Sequence, residues 1–266
     1  MATYTGIADA NGDFSIPFSA SYTGGQKVTV TSERDSAVKT IELFAPSETT
    51  GAMMQFSGTT VNFPLNIGDV TIKMSGKLQD YSFSGFSTAT QFNQLISKVA
   101  TSIKLIGCTE LGKNAFEYSN VKINDILSSP TLTTIGEYAF THVQLAQTVN
   151  IPAGKTWGIY VFDSALITEA TFQSGVTIIP IGMFYQCASL EKISIPATVT
   201  EIQGLAFASC SKLSVITVLA TTPPVITSDS LQSIKSTCII KVPAASVAAY
   251  KAAPNWSAFA SRIKAI

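Results

Sequence analysis

Apolar residues recur along the second half of the chain at two superposed intervals, one short and one long. Residues 190–195 and 213–218 read L-x-x-I-x-I/V, with Leu190, Ile193, Ile195 and Leu213, Ile216, Val218 as the apolar set. Alternation over the last positions puts every second side chain on one face, the pattern of a short half-buried strand. Val149 and Ile151 repeat its end. The long interval is carried by LGKNAF (111–116), IGEYAF (135–140), WGIYVF (157–162), IPIGMF (179–184) and IQGLAF (202–207). Their phenylalanines, Phe116, Phe140, Phe162, Phe184 and Phe207, stand 24, 22, 22 and 23 residues apart. A strand and turn of this length cannot bury its own apolar face, so the units must stack, with the phenylalanines filling the interior. Gly112, Gly136 and Gly158 mark a tight corner in the first three units, and Gly182 and Gly204 mark a displaced one.

The better copies continue after the phenylalanine with Cys187-x-x-Leu190 and Cys210-x-x-Leu213. Residues 195–202 (IPATVTEI), followed by 206–213 (AFASCSKL), match almost position for position the unit I-P-x-x-V-T-x-I-G-x-x-A-F-x-x-C-x-x-L of the BspA-type leucine-rich repeats. The resemblance covers about residues 105–220. It implies a bacterial or phage surface protein that binds proteins or glycans without catalysis. Residues 78–83 (LQDYSF) echo the same signature, so degenerate coils are expected from 61 to about 104, with a short helix over 92–100.

The flanks read differently. Phe14 to Ser19, Lys27 to Thr31 and Val38 to Phe44 form three short strand patterns, with turn signals at Asn11-Gly12 and Gly24-Gly25. This segment resembles the small immunoglobulin-like modules of bacterial adhesins and phage tail proteins. After Thr221-Thr-Pro-Pro224, a rigid stop, come an alternating strand over 238–243, a helix over 244–253 and a last helix with Trp256, Phe259 and Ile263 as its apolar stripe. The tail resembles the V-P-x-x-x-V-x-x-Y…W segment that closes proteins of the same family. The predicted fold is thus a β-rich solenoid over 61–220, with a small β module over 1–60 and a short helical cap over 221–266.

Composition narrows the function. Seventeen basic and seventeen acidic residues cancel, and charged residues are 13% of the chain. That balance excludes the basic footprint of a nucleic-acid binder and of a polybasic membrane-surface protein. Polarity comes from 30 Ser and 31 Thr. Neither a signal peptide nor a membrane span is visible, which fits unconventional display, a virion component or a trimmed leader. With one histidine, His142, read as a polar loop residue, multi-histidine zinc sites are excluded. Asp9, Asn11 and Asp13 read as a turn, because the order and the terminal Glu of a calcium loop are missing. No catalytic residue, metal or cofactor is expected.

Cys187 and Cys210 share a repeat position and should stack about 5 Å apart on neighbouring strands. That spacing is compatible with a disulfide, but a ladder of reduced buried thiols is the commoner arrangement. Residues between the inward apolar positions must point out. They are Lys122 and Asn124, Thr148 and Asn150, Glu169 and Thr171, Lys192 and Ser194, and Val215 and Thr217. Side by side they would form a surface for a polar glycan or protein loop, unless it is merely a solvated sheet face. The expected partners are a host or bacterial surface protein or glycan, together with virion structural proteins if the chain is a phage tail component. The location follows as virion, extracellular or cell surface. A secreted cell-surface adhesin and a glycan-directed enzyme are the alternatives.

Overall fold

A computed structural model of the chain describes residues 27–34, 37–44, 53–56, 59–62, 68–84 and 100–266. The strand expected at Phe14 to Ser19, the turns at Asn11-Gly12 and Gly24-Gly25, the Asp9 to Asp13 loop and all of the helix expected over 92–100 except its last residue lie outside these residues; that last residue, Ala100, opens a strand instead.

Each coil of the solenoid contributes a two-residue strand, a turn carrying the phenylalanine, and a longer strand. The two-residue strands are β7 (Thr134–Ile135), β9 (Thr156–Trp157), β11 (Ile178–Ile179), β13 (Glu201–Ile202) and β15 (Val225–Ile226). The longer ones are β8 (Gln147–Ile151), β10 (Ile167–Phe172), β12 (Lys192–Ile195), β14 (Val215–Val218) and β16 (Ile239–Val242). With β17 (Ile263–Ala265) these longer strands pair in parallel as β8-β10-β12-β14-β16-β17. Upstream, β5 (Gly68–Leu78) pairs in parallel with β6 (Ala100–Leu111), and β6 leads into β7 and β9. The hairpin of β1 (Lys27–Arg34) and β2 (Ala37–Phe44) extends that sheet, with β2 antiparallel to β5. A separate hairpin joins β3 (Met53–Phe56) to β4 (Thr59–Asn62).

The phenylalanines form the expected ladder. Ring centroids from Phe83 through Phe116, Phe140, Phe162 and Phe184 to Phe207 lie 5.1–5.6 Å apart, with planes within 25° of parallel. All but Phe83 are fully shielded from solvent. The backbone fixes this spacing. The amide of Phe140 donates to the Val161 carbonyl (2.9 Å), that of Phe162 to Met183 (3.0 Å) and that of Phe184 to Ala206 (2.8 Å). Two residues to either side of each of these rings the chain turns left-handed, as at Tyr138 and His142, or Tyr160 and Ser164. These paired reversals fold the turn tightly enough for one coil to sit on the next.

Gly136 shows how tight the corner is, since a Cβ there would lie 2.6 Å from the Leu111 carbonyl oxygen. The two-residue strands form two ladders, β6-β7-β9 and β11-β13-β15, with no pairing between β9 and β11. Pro180 explains the break. Its counterparts Gly158 and Gln203 donate to Ile135 and Ile179, and proline has no N–H to donate to Trp157.

Two expectations at the C-terminus are corrected. Pro223 and Pro224 do not end the stack, because β15 and β16 add one more coil before the cap. Ile263 lies on β17 and not on a helix, and continues the parallel sheet. The cap itself is a 3-10 turn (Ala244–Ser246), α2 (Val247–Ala252) and a second 3-10 turn (Trp256–Phe259); the short helix α1 (Ile123–Leu127) lies in the second coil. Tyr250 Oη donates to the Ala220 carbonyl (2.8 Å) and Trp256 Nε1 to that of Pro224 (2.7 Å), pinning the cap over the open end.

All four cysteines are free and buried. Cys187 Sγ donates to the Phe162 carbonyl (3.0 Å) and Cys210 Sγ to the Phe184 carbonyl (3.2 Å), so each thiol bonds the coil before it. Burial pushes the Cys210 thiol up to about 12 and the Cys238 thiol up to about 11, and raises Cys187 well above its ordinary value.

Truncating the ladder by Phe184→Ala should cost roughly 3–5 kcal/mol in urea denaturation, and a loss under about 1 kcal/mol would contradict the stacked interior. Native protein should resist alkylation at about pH 8 and release four reactive thiols on unfolding without reductant. Because the folded thiols titrate above their unfolded value of 9.0, their contribution is complete below pH 9.0 and is lost towards pH 12. The urea midpoint should therefore fall across that window, and less steeply in a Cys187→Ala, Cys210→Ala double variant.

Candidate functional site

Along β8, β10, β12 and β14 the inward positions are buried and the alternate positions face water, as the L-x-x-I-x-I pattern requires. Val149, Ala170, Ile193 and Ile216 lie at one level of the core. Outside them, Thr148, Glu169, Lys192 and Val215 are direct neighbours, and Asn150, Thr171, Ser194 and Thr217 form a second column. The structure thus brings eight of the predicted residues onto one face. Lys192 Nζ meets Glu169 Oε1 at 3.0 Å, and the Thr171 hydroxyl donates to Asn150 Oδ1. The hydrogen bond that Lys192 donates to Glu169 raises the pKa of its ammonium, but both groups are open to water and the pair adds little stability. The columns continue beyond the predicted set through Ile239 on one side and through Lys241 and Lys264 on the other.

Lys122 and Asn124 do not belong to this face as strand residues. Ile123 opens α1 instead of lying on a strand, and Lys122 is its N-cap. Asn124 does reach the sheet, in another role. Its Nδ2 donates to the Thr148 carbonyl (2.9 Å), and its Oδ1 accepts from the Asn150 amide (2.9 Å), as a neighbouring strand would. Gln147 acts in mirror fashion, donating to the Val121 carbonyl (2.9 Å) and accepting from the Ile123 amide (2.8 Å). Side-chain amides therefore close the β8 edge, which would otherwise offer a row of unpaired groups.

A second surface was not foreseen. On the turn side, Tyr138 and Tyr160 stack at 5.2 Å, Tyr160 meets Tyr185 edge-on at 5.8 Å, and Tyr118 stacks on His142 at 4.4 Å. His142 is thus more than a polar loop residue, and its Nδ1 also lies 3.0 Å from Thr141 Oγ1. The signal was present as Tyr two positions before Phe140 and Phe162, but left-handed backbone at tyrosine is not readable from spacing. Beside these rings burial raises the Asp163 carboxyl, while the hydrogen bond from Ser164 and the nearby His142 act against the rise.

Elsewhere among the described residues Glu137 pairs with Lys113, and Asp80 and Glu110 share Lys77. Among the described residues no three of His, Cys, Asp and Glu gather to hold a metal, and no helix is long and apolar enough to cross a membrane.

Residues 109–238 match the BspA type leucine-rich repeat region, in six copies. No curated protein matches the chain. Among solved structures, a leucine-rich repeat protein from Eubacterium ventriosum is 22% identical, with a TM-score of 0.44, over 61% of this chain and 40% of its own. This chain therefore spans well under half the length of that protein. The pneumococcal vaccine antigen PcpA is 16% identical, with a TM-score of 0.31, over 98% of this chain and 95% of its own. A leucine-rich cell surface protein from Faecalibacterium prausnitzii is 16% identical, with a TM-score of 0.23, over 92% and 79%.

Asn124→Leu keeps the branched side-chain shape and removes the pairing to β8. It should lower stability by about 1–2 kcal/mol and promote self-association through the exposed edge. Urea denaturation and light scattering measure the two effects.

Proposed function

With the repeats over 109–238 being BspA-type leucine-rich repeats, we propose that this protein is a non-enzymatic recognition protein displayed at a surface. Its outer face over β8, β10, β12 and β14 would hold a protein or glycan partner. One observation carries this reading: the side chains of four successive strands stand in register at two heights, directed away from the core. The Asn124 and Gln147 amides close the β8 edge of that sheet, and β14 is followed by β16 and β17 on the other side, so contact with these four strands is left to their face.

The chemistry of the face is small and polar. Thr148, Asn150, Thr171, Ser194 and Thr217 supply hydroxyls and amides that both donate and accept, which suits the hydroxyls of a sugar or the peptide groups of a loop. Charge is sparse and partly neutralised within the Glu169–Lys192 pair, which disfavours an anionic polymer such as nucleic acid. Display on a bacterial cell and display on a virion are both consistent with this surface. Antibody labelling of intact cells and of purified virions separates them.

Replacing Thr148, Thr171, Lys192 and Thr217 together with bulky residues should reduce binding to whole host cells at least about tenfold, a loss of about 1.4 kcal/mol, with an unchanged circular dichroism spectrum. Undiminished binding by the folded variant would move the site off this face.

A further inference from the structure

Charge is spread unevenly along this electrically neutral chain. Residues 203–266 hold six basic side chains and a single acidic one, Asp229, a formal charge of +5, so residues 1–202 carry −5. Asp229 lies on the turn side, beside Gly204 and Thr227. The basic groups of this segment are not spent within the molecule. Among the described residues the ion pairs belong to Lys77, Lys113 and Lys192, all of them upstream.

Four of the six basic groups gather where the outer sheet face ends. The column of Asn150, Thr171, Ser194 and Thr217 runs on into Lys241 of β16 and Lys264 of β17, which are register partners. Both lysines are exposed. Like charges directly opposite each other on neighbouring strands repel, and here no carboxylate offsets them. Arg262 stands two residues before Lys264, ahead of the inward Ile263. Its Nη1 donates to the Lys235 carbonyl (3.0 Å), and its guanidinium lies 4.7 Å from the centre of the Phe259 ring. The guanidinium is thus held in place with most of its N–H groups free. Lys235 itself is exposed.

The regularity of the surface fits a ligand that repeats. Strands about 4.8 Å apart offer one kind of group at each step of a column, first hydroxyls and amides and then ammonium groups. A linear polymer crossing the strands meets such a series, whereas the side chains of a protein loop do not recur at a fixed interval. We infer that the outer face binds an acidic polysaccharide laid across the strands. Its hydroxyls lie on Thr171, Ser194 and Thr217, and its carboxylates or sulfates pair with Lys241, Lys264 and Arg262. Anions spaced along such a chain relieve the repulsion between the two lysines. A nucleic acid, with a phosphate at every step, would bring charge over Glu169 as well. This assignment rests on the outer face being the binding surface, as proposed above, and gives that surface a ligand class.

The test uses calorimetric titration of the full chain with oligosaccharides of hyaluronan and chondroitin sulfate long enough to cross the sheet. Neutral cello-oligosaccharides, oligothymidylate and phosphatidylglycerol vesicles serve as comparisons. At least one acidic oligosaccharide should bind saturably and at least about tenfold more tightly than the neutral one, with the difference shrinking as salt is raised. Lys241→Gln with Lys264→Gln should weaken it at least about tenfold. The urea midpoint of that variant should not fall, because a like-charge pair is removed. Lys212→Gln with Lys251→Gln takes the same charge from outside the two columns and should change binding less than about twofold. The variant at Thr148, Thr171, Lys192 and Thr217 should bind the oligosaccharide less tightly as well. The inference is overturned if no acidic oligosaccharide binds, or if the neutral sugar, the oligonucleotide or the vesicles bind as tightly. It is equally overturned if both lysine pairs weaken binding alike, or if the folded four-position variant binds undiminished. Whole-cell binding decides the outer-face reading separately, since a loss there in the four-position variant keeps that face as the site even where acidic oligosaccharides fail.

Discussion

The architecture rests on the bond between one coil's phenylalanine amide and a carbonyl of the next. That bond sets the distance between turns, and the rings borne by those turns follow at 5.1–5.6 Å. Strand pairing on the opposite side needs the same rise of about 4.8 Å, so turn and sheet advance together. The buried thiols answer to the same geometry. Cys187 and Cys210 each reach the carbonyl of the phenylalanine one coil earlier, a place where a longer side chain would force the coils apart.

Much of this was legible in residue spacing. The phenylalanines, the inward isoleucines and the outward residues of β8 to β14 all follow from a repeat of 22–24 residues combined with strand alternation. The second coil was not legible. Lys122, Ile123 and Asn124 fit the outward-inward-outward pattern of a strand, yet three such residues fit one turn of helix as well. Pairing through the Asn124 amide satisfies the sheet edge without a strand. At the far end Trp256, Phe259 and Ile263 have helical spacing, but the parallel edge of β16 was available and drew Ile263 into the sheet.

The candidate surfaces divide along the same line. Sheet-face residues could be named in advance because alternation alone determines which way they point. The tyrosine surface and the break between β9 and β11 depend on backbone conformation at single residues. A left-handed Tyr138 or Tyr160 is invisible to periodicity, and Pro180 reads as a punctuation mark until its counterparts Gly158 and Gln203 are seen donating hydrogen bonds.

That proline also has a mechanical meaning. Most junctions between coils are tied along three lines: the phenylalanine turns, the long strands and the two-residue strands. The junction between β9 and β11 keeps only two of these lines. A load drawn along the stack is carried in series, so every junction bears the same force and the least bonded one yields first. The array therefore has a built-in parting line, with multi-coil blocks on either side that hold together after the seam has opened.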